Sequence, residues 1–443
     1  MPFETIPGTT EQYALLSFDK NGKERSDDPD GISGSLSKEL LARVARDQPS
    51  HVFLFSHGWK GDIPAAKDQY NRWIGAMLKL TADRGAVPGT FKPMWIGLHW
   101  PSQPFGDEEV GGADFDAGEG APSPDAIVAM YLDRLGLGAD AEPLIRTVVN
   151  AHQKDAAART LPDAAAQAYS ALAALAGRTD LVRSSQGPSA PPDADDAPFD
   201  PHVAFDTGNG IAGTDFAGGG LLGGILGPLR QLSYWTMKKR GRSIGESGMH
   251  DFVASVMNAA PKARVHLMGH SFGCIVMSSV VGGRNASQPL PRAVDSLALI
   301  QGAVSLWAFG EEVNGQARPG YFNPWITRTA VRGPIVVSRS VFDKAVGTLY
   351  PWASAVSLAD GSFDVDEDNL PLHGAIGAFG IRGLKGAVAR NMLEATGQYG
   401  FEAGKVYNLE SSKFIKKGDG VSGAHSDIDG PEVAHALWQA SLV

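Results

Sequence analysis

The chain has 443 residues, enough for one large domain with insertions or for two domains. Its 49 acidic against 39 basic side chains give a net charge of −10, which argues against a nucleic-acid partner, because a phosphate backbone is bound through a basic stripe that displaces counterions. The single cysteine, Cys274, excludes an internal disulfide and reads as core, and no run reaches the about 20 apolar residues of a membrane span.

In chain order, MPFETIPGTTEQYALLSFDKNG lacks the basic start and apolar core of a secretory leader, so a cytoplasmic location is expected. EQYALLSF with the DKNG turn predicts an opening hairpin, and SGSLSKELLARVARDQ a helix with a serine cap. HVFLFSHGW (51–59) reads as a buried strand, the stretch from Pro64 to Gly85 as a helix, and KPMWIGLHWPS (92–102) as a second strand. Past Pro101 the regularity stops. There follow an acidic Gly-rich loop, an Ala-rich helical stretch near 155–176, and SSQGPSAPPDADDAPFDP, too polar to offset its ordering entropy. GNGIAG (208–213) matches a dinucleotide-binding pattern, but no strand precedes it.

The alternation then resumes: helix HDFVASVMNAA, strand RVHLMG, helix CIVMSSVV, strand VDSLALIQGAVS, strand GPIVVSRSVF, a Gly-rich insertion to about residue 404, strand KVYNLESSKF and a last helix PEVAHALWQA. Strands alternating with amphipathic helices predict an α/β fold with a mostly parallel central sheet, helices on both faces and a large insertion. The chain accordingly divides into 1–103 and 231–443, the two parts of the core, and 104–230, an insertion and candidate lid with a mobile part.

Two segments fit the pattern GxSxG. GRSIG (241–245) follows the basic run MKKR with no buried strand before it, whereas GHSFG (269–273) stands between the strand ARVHLM and the apolar run CIVMSS. A strand turning sharply into a helix strains its middle residue, and flanking glycines leave room for the chain to fold back. The hydroxyl of Ser271 is then lifted beside a helix N-terminus, whose unpaired N–H groups favour developing negative charge. In this context the chain resembles the α/β-hydrolase superfamily, with its nucleophile elbow at GHSFG. The resemblance implies a serine nucleophile, an acid after a later strand and a histidine after the last strand, in that chain order.

Of 11 histidines, His425 lies in the Gly-rich loop between the last strand and the last helix, where the superfamily places its base. His373 is the runner-up, and a loop histidine that merely caps the helix is the plain alternative. Asp343 directly follows GPIVVSRSVF and is the expected acid, with Glu311, Glu312, Asp364, Asp366 and Asp368 as substitutes; it could equally cap KAVGTLY. Asp295 begins a strand, at the wrong end of the sheet. An oxyanion hole needs two N–H donors, expected from Phe272 and from Trp59 or Lys60 after His57 and Gly58, which resemble the family's HG motif.

The expected activity is hydrolysis of a small-molecule carboxylic ester through an acyl-enzyme on a Ser271–His425–Asp343 triad, requiring neither metal nor organic cofactor; no HExxH, CxxC pair or P-loop is present. Trp59, Trp100, Phe105, Trp307, Phe309, Tyr321, Phe322, Trp325, Tyr350 and Trp352 crowd the loops expected around the mouth. Most should anchor loops, and several on one rim would favour an apolar or aromatic acyl group. A serine peptidase or amidase on the same triad and a non-catalytic binding protein of the same fold both stay open, and the oligomeric state is undetermined.

Overall fold

A computed structural model describes residues 3–26, 35–58, 63–102, 123–176, 199–212, 224–313, 315, 317–349, 370–371, 373–418 and 422–443. Its centre is a nine-stranded sheet: β1 (Phe3–Thr5), β2 (Gln12–Ser17), β3 (His51–Ser56), β4 (Pro93–His99), β5 (Arg264–His270), β6 (Ser296–Ile300), β7 (Ile335–Arg339), β8 (Val388–Asn391) and β9 (Val406–Glu410). The spatial order is β1-β2-β4-β3-β5-β6-β7-β9-β8. Only the β1–β2 pair is antiparallel; the other seven pairings are parallel.

The strands read as near-continuous apolar runs because both faces are covered, as parallel sheets require. Side chains alternate between two cores. Val52 and Leu54 of β3, with Val265 and Leu267 of β5, enter one that also holds the helices Leu36–Asp47, Gly227–Ile244, His250–Ala259 and Gly273–Gly282. Phe53, Phe55 and Met268 enter the other, covered by the helices Ile63–Lys79 and Pro431–Ser441 through Tyr70, Trp73, Leu437 and Trp438. The α/β architecture with a mostly parallel sheet is therefore present.

Three local expectations differ. The hairpin pairs β2 with β1 upstream, while DKNG closes only an isolated bridge between Phe18 and Glu24, its turn held by Asp19 Oδ1 accepting from the backbone N–H of Asn21 and Lys23. Ser35 stands at the N-cap of Leu36–Asp47 without a side-chain capping bond; the Glu24 carboxylate accepts the Ser37 N–H at 2.8 Å instead, satisfying a helix-start donor with a full charge. The strand β8 lies inside the stretch read as a Gly-rich insertion. It is half-exposed at the sheet edge, so its residues carry no apolar run.

Between β4 and β5 the described parts form the helices Pro124–Leu135, Glu142–Lys154, Asp163–Leu175 and Pro201–Ala212. Ile127, Tyr131, Val148 and Leu172 share the first core with Trp100 and Trp235. Residues 208–212 of GNGIAG belong to the helix Pro201–Ala212, whereas the acidic Gly-rich loop and the Pro-rich stretch lie outside the described residues. Among the described residues no helix is long and apolar enough to cross a membrane.

Candidate active site

Because β2 to β9 run parallel, the segments following β3, β5, β6, β7 and β9 all leave from one edge of the sheet. The chain from β3 proceeds to β4 on one side, and the chain from β5 to β6 on the other, so the two connections diverge there, at the kind of topological switch point where such sheets usually bind ligands. Gly58 and Ser271 lie where they part.

β5 ends at His270, and the helix Gly273–Gly282 starts three residues later. Ser271 makes the turn with φ of +57°, a region that costs a non-glycine residue about 1–3 kcal/mol and persists only where its surroundings impose it. Here they do. The Ser271 N–H donates to Ile300 O at 3.1 Å, and Ser271 O accepts from the N–H of Cys274 and of Ala303, each at 3.1 Å. The flanking glycines are required by close approach: a Cβ on Gly269 would stand 2.5 Å from Gly273 O, and one on Gly273 2.3 Å from Ser56 O. Cys274 is buried, its thiol pushed well above its ordinary value by burial, as befits a core side chain.

The competing GRSIG serves packing. Ser243 is exposed in the last turn of Gly227–Ile244, while a Cβ on Gly245 would meet Val276 O at 2.4 Å and Ser279 Cβ at 2.5 Å. The glycine lets this helix press onto the one that follows Ser271.

Asp343 and His425 meet. His425 Nδ1 lies 2.8 Å from Asp343 Oδ2, and both residues are buried. The loops that carry them are laced together: Phe342 O accepts from Ala424 N at 2.8 Å, the Ala345 N–H donates to Ser422 O at 3.2 Å, and Asp343 bridges Gly423. Asp343 also caps the turn after it, Oδ1 accepting the Val346 N–H at 3.1 Å. The two readings of this residue are thus compatible, one oxygen for each. A carboxylate only accepts, so the imidazole donates from Nδ1 and keeps Nε2 as its basic nitrogen. His425 is tied to the elbow as well: its carbonyl oxygen accepts from His270 Nε2 at 2.9 Å, and the two rings lie 4.9 Å apart.

The Ser271 end is open. Ser271 is 1% exposed, and its Oγ is buried with no hydrogen-bond partner among the described residues, so the bond from hydroxyl to imidazole that a triad needs is not formed here. Comparison with known proteins yields no matching family model, no matching curated protein and no matching solved structure.

Gly58 faces Ser271 so closely that a Cβ there would lie 2.4 Å from Ser271 Cβ and 3.0 Å from Oγ. The segment after β3 therefore forms one wall of the site; Trp59 and Lys60, its expected amide donors, lie outside the described residues. The His57 side chain holds that segment: Nδ1 is 2.8 Å from Gly58 O, Nε2 accepts from Trp100 N at 3.3 Å, and the ring stacks on Trp100. Phe272, the other expected donor, is the N-cap of Gly273–Gly282, with its ring 5.1 Å from that of Tyr234.

Other candidates are engaged elsewhere. His435 Nδ1 is 2.7 Å from Asp83 Oδ2, Glu311 pairs with Lys385, and Asp295 sits at the opposite sheet edge against Arg264, Arg292 and Arg332. Asp364, Asp366 and Asp368 lie outside the described residues, as do Phe105, Tyr350 and Trp352. Trp100, Trp307, Phe309, Tyr321, Phe322 and Trp325 are all buried, anchoring loops instead of lining an open rim. Among the described residues no group of three or more His, Cys, Asp or Glu side chains is placed to hold a metal ion.

Sequence reasoning missed two residues. His270 passes for a strand residue, and so does Gln301, read as part of the strand VDSLALIQGAVS although its side-chain amide reaches Asp343 at 2.7 Å just beyond β6. In hindsight the only signal is position: each directly ends or follows a strand at the same edge as Ser271.

Proposed function

We propose that the chain is a serine hydrolase of α/β-hydrolase fold that cleaves carboxylic esters through an acyl-enzyme, with Ser271 as nucleophile, His425 as base and Asp343 as its partner. One observation carries this reading: the buried Asp343–His425 pair is anchored, through the His425 carbonyl, to the residue immediately preceding a serine held at φ of +57°. The parallel sheet and the chain order Ser, Asp, His support it. The absence of a hydrogen bond from Ser271 to His425 is compatible with it, because catalytic hydrogen bonds in unliganded sites are often long and tighten with substrate.

In this mechanism Ser271 Oγ adds to the ester carbonyl carbon while its proton passes to His425 Nε2. The carbonyl electron pair moves onto oxygen, where the Phe272 N–H and an amide after Gly58 stabilise it. Collapse expels the alkoxide, which takes the proton from His425. Water then repeats the sequence on the acyl-enzyme, releasing the acid and restoring Ser271. His270, although nearer in sequence, is a poor base: burial first, and then the adjacent His425, push it well below its ordinary range.

A chain-length series of p-nitrophenyl esters beside matched anilides tests the assignment. Turnover of the esters, abolished in Ser271→Ala, supports it; turnover of anilides at equal efficiency would make the enzyme an amidase. No turnover of either and no Ser271 labelling by a fluorophosphonate would leave a binding protein.

A further inference from the structure

Gln301 occupies an unusual position. It follows β6 directly, is fully buried, and adopts φ of +45°, a second left-handed non-glycine residue beside Ser271. Its backbone neighbours grip the elbow: Ile300 O accepts the Ser271 N–H, and the Ala303 N–H donates to Ser271 O. A Cβ on Gly377 would stand 2.6 Å from Gln301 C, so the short helix Ile376–Phe379 presses on this turn from behind.

The side chain is fixed at both ends. The Gln301 N–H donates to Ser338 Oγ at 2.9 Å, and that hydroxyl in turn donates to Gln301 Oε1 at 2.8 Å. With Oε1 so occupied, Nε2 is directed at Asp343 Oδ2 and donates at 2.7 Å; the reversed amide would set an oxygen against a carboxylate. Asp343 Oδ2 therefore accepts from both Gln301 and His425, while Oδ1 accepts from Val346. Ser338, Gln301, Asp343 and His425 form a buried relay with a defined donor at each link.

We infer that Gln301 is a positioning residue: it holds the Asp343 carboxylate in the plane that orients His425 and couples that acid mechanically to the turn carrying Ser271. This rests on the hydrolase reading for its activity readout but not for its geometry. A hydrogen bond to a charged group contributes about 1.5–3 kcal/mol, which at about 1.4 kcal/mol per factor of ten corresponds to roughly tenfold to a hundredfold.

The test uses the full chain. In Gln301→Leu, kcat for p-nitrophenyl acetate should fall about tenfold to a hundredfold with KM within about twofold. The low-field proton resonance of His425 Nδ1 should shift or broaden. Gln301→Glu keeps the shape, and its carboxyl can donate to Asp343 only when protonated. The titratable groups in contact there are Asp343 and His425, with the His270 ring tilted against that of His425, and burial pushes His270 well below its ordinary range. Its kcat should therefore decline as pH rises across a range where the native enzyme holds steady. If Gln301→Leu does not fold, Gln301→Glu carries the test. Native kcat and an unmoved resonance in a folded variant would overturn the inference while leaving the triad intact. If the native chain turns over no ester, the hydrolase reading fails, and the resonance alone decides for or against Gln301.

Discussion

Gly58 packs hard against Ser271, the proposed nucleophile. Since even a methyl group there would overlap Ser271 Cβ, at 2.4 Å, Gly58→Ala must push apart the segment after β3 and the elbow. Displacements of about 1 Å at reacting groups cost on the order of a hundredfold, so esterase kcat/KM should fall by that order with the far-ultraviolet spectrum unchanged; a fully active Gly58→Ala would separate this segment from the site. Asp343→Asn should be more severe, about 10³–10⁴-fold in kcat, because an amide can present its N–H₂ to His425 and favour the wrong tautomer; steady-state kinetics with intact folding measures it. Asp343 and His425 were legible from their places after the late strands, where two loops must converge on one sheet edge. Gln301 was not. A glutamine at the end of the run VDSLALIQGAVS looks, in a sequence, like one more strand residue, and nothing there shows that its three polar groups are all engaged.

Among the elements, the strands that both cores cover were plain in the sequence because burial on two faces writes a continuous apolar run, as in HVFLFS and RVHLM. β8 was hidden for the complementary reason: at the edge, half-exposed, VARN needs no such run. In the sequence GRSIG showed only that no buried strand precedes it; its place at the end of Gly227–Ile244 and its purpose became visible only in the structure, against Val276 and Ser279. That contact makes a prediction opposite in sign to helix propensity. Alanine for glycine normally stabilises a helix by about 0.5–1 kcal/mol, whereas Gly245→Ala should destabilise this protein by about 1–3 kcal/mol through overpacking, read as a lower thermal midpoint. An unchanged or raised midpoint would mean that the two helices have room to separate.

Across the whole molecule, several histidines are buried as neutral rings. Burial lowers His51 to about 4, with Arg264 adding to it and Asp295 opposing, and lowers His99 to about 4, with Arg25 adding to it. His266 and His270 are likewise pushed well below the ordinary 6.5 by burial. In the unfolded chain these rings take up protons as pH falls through about 6.5, whereas in the folded chain His51 and His99 do so only near 4 and His266 and His270 only well below 6.5. The unfolded state therefore binds more protons in that window, so stability should drop as pH falls from 6.5 towards 4. Urea midpoints at pH 7 and pH 5 measure this, and His51→Phe, which preserves the ring stack on Phe53 and His266, should reduce the difference. Equal midpoints at the two pH values would contradict it. The central claim is that this fold makes Ser271 a nucleophile, and the most direct measurement is fluorophosphonate labelling of the folded protein with the modified peptide mapped by mass spectrometry. The account predicts a single adduct on Ser271, lost in Ser271→Ala and in unfolded chain but retained in Ser243→Ala. Absence of any adduct, or an adduct that survives Ser271→Ala, would contradict it.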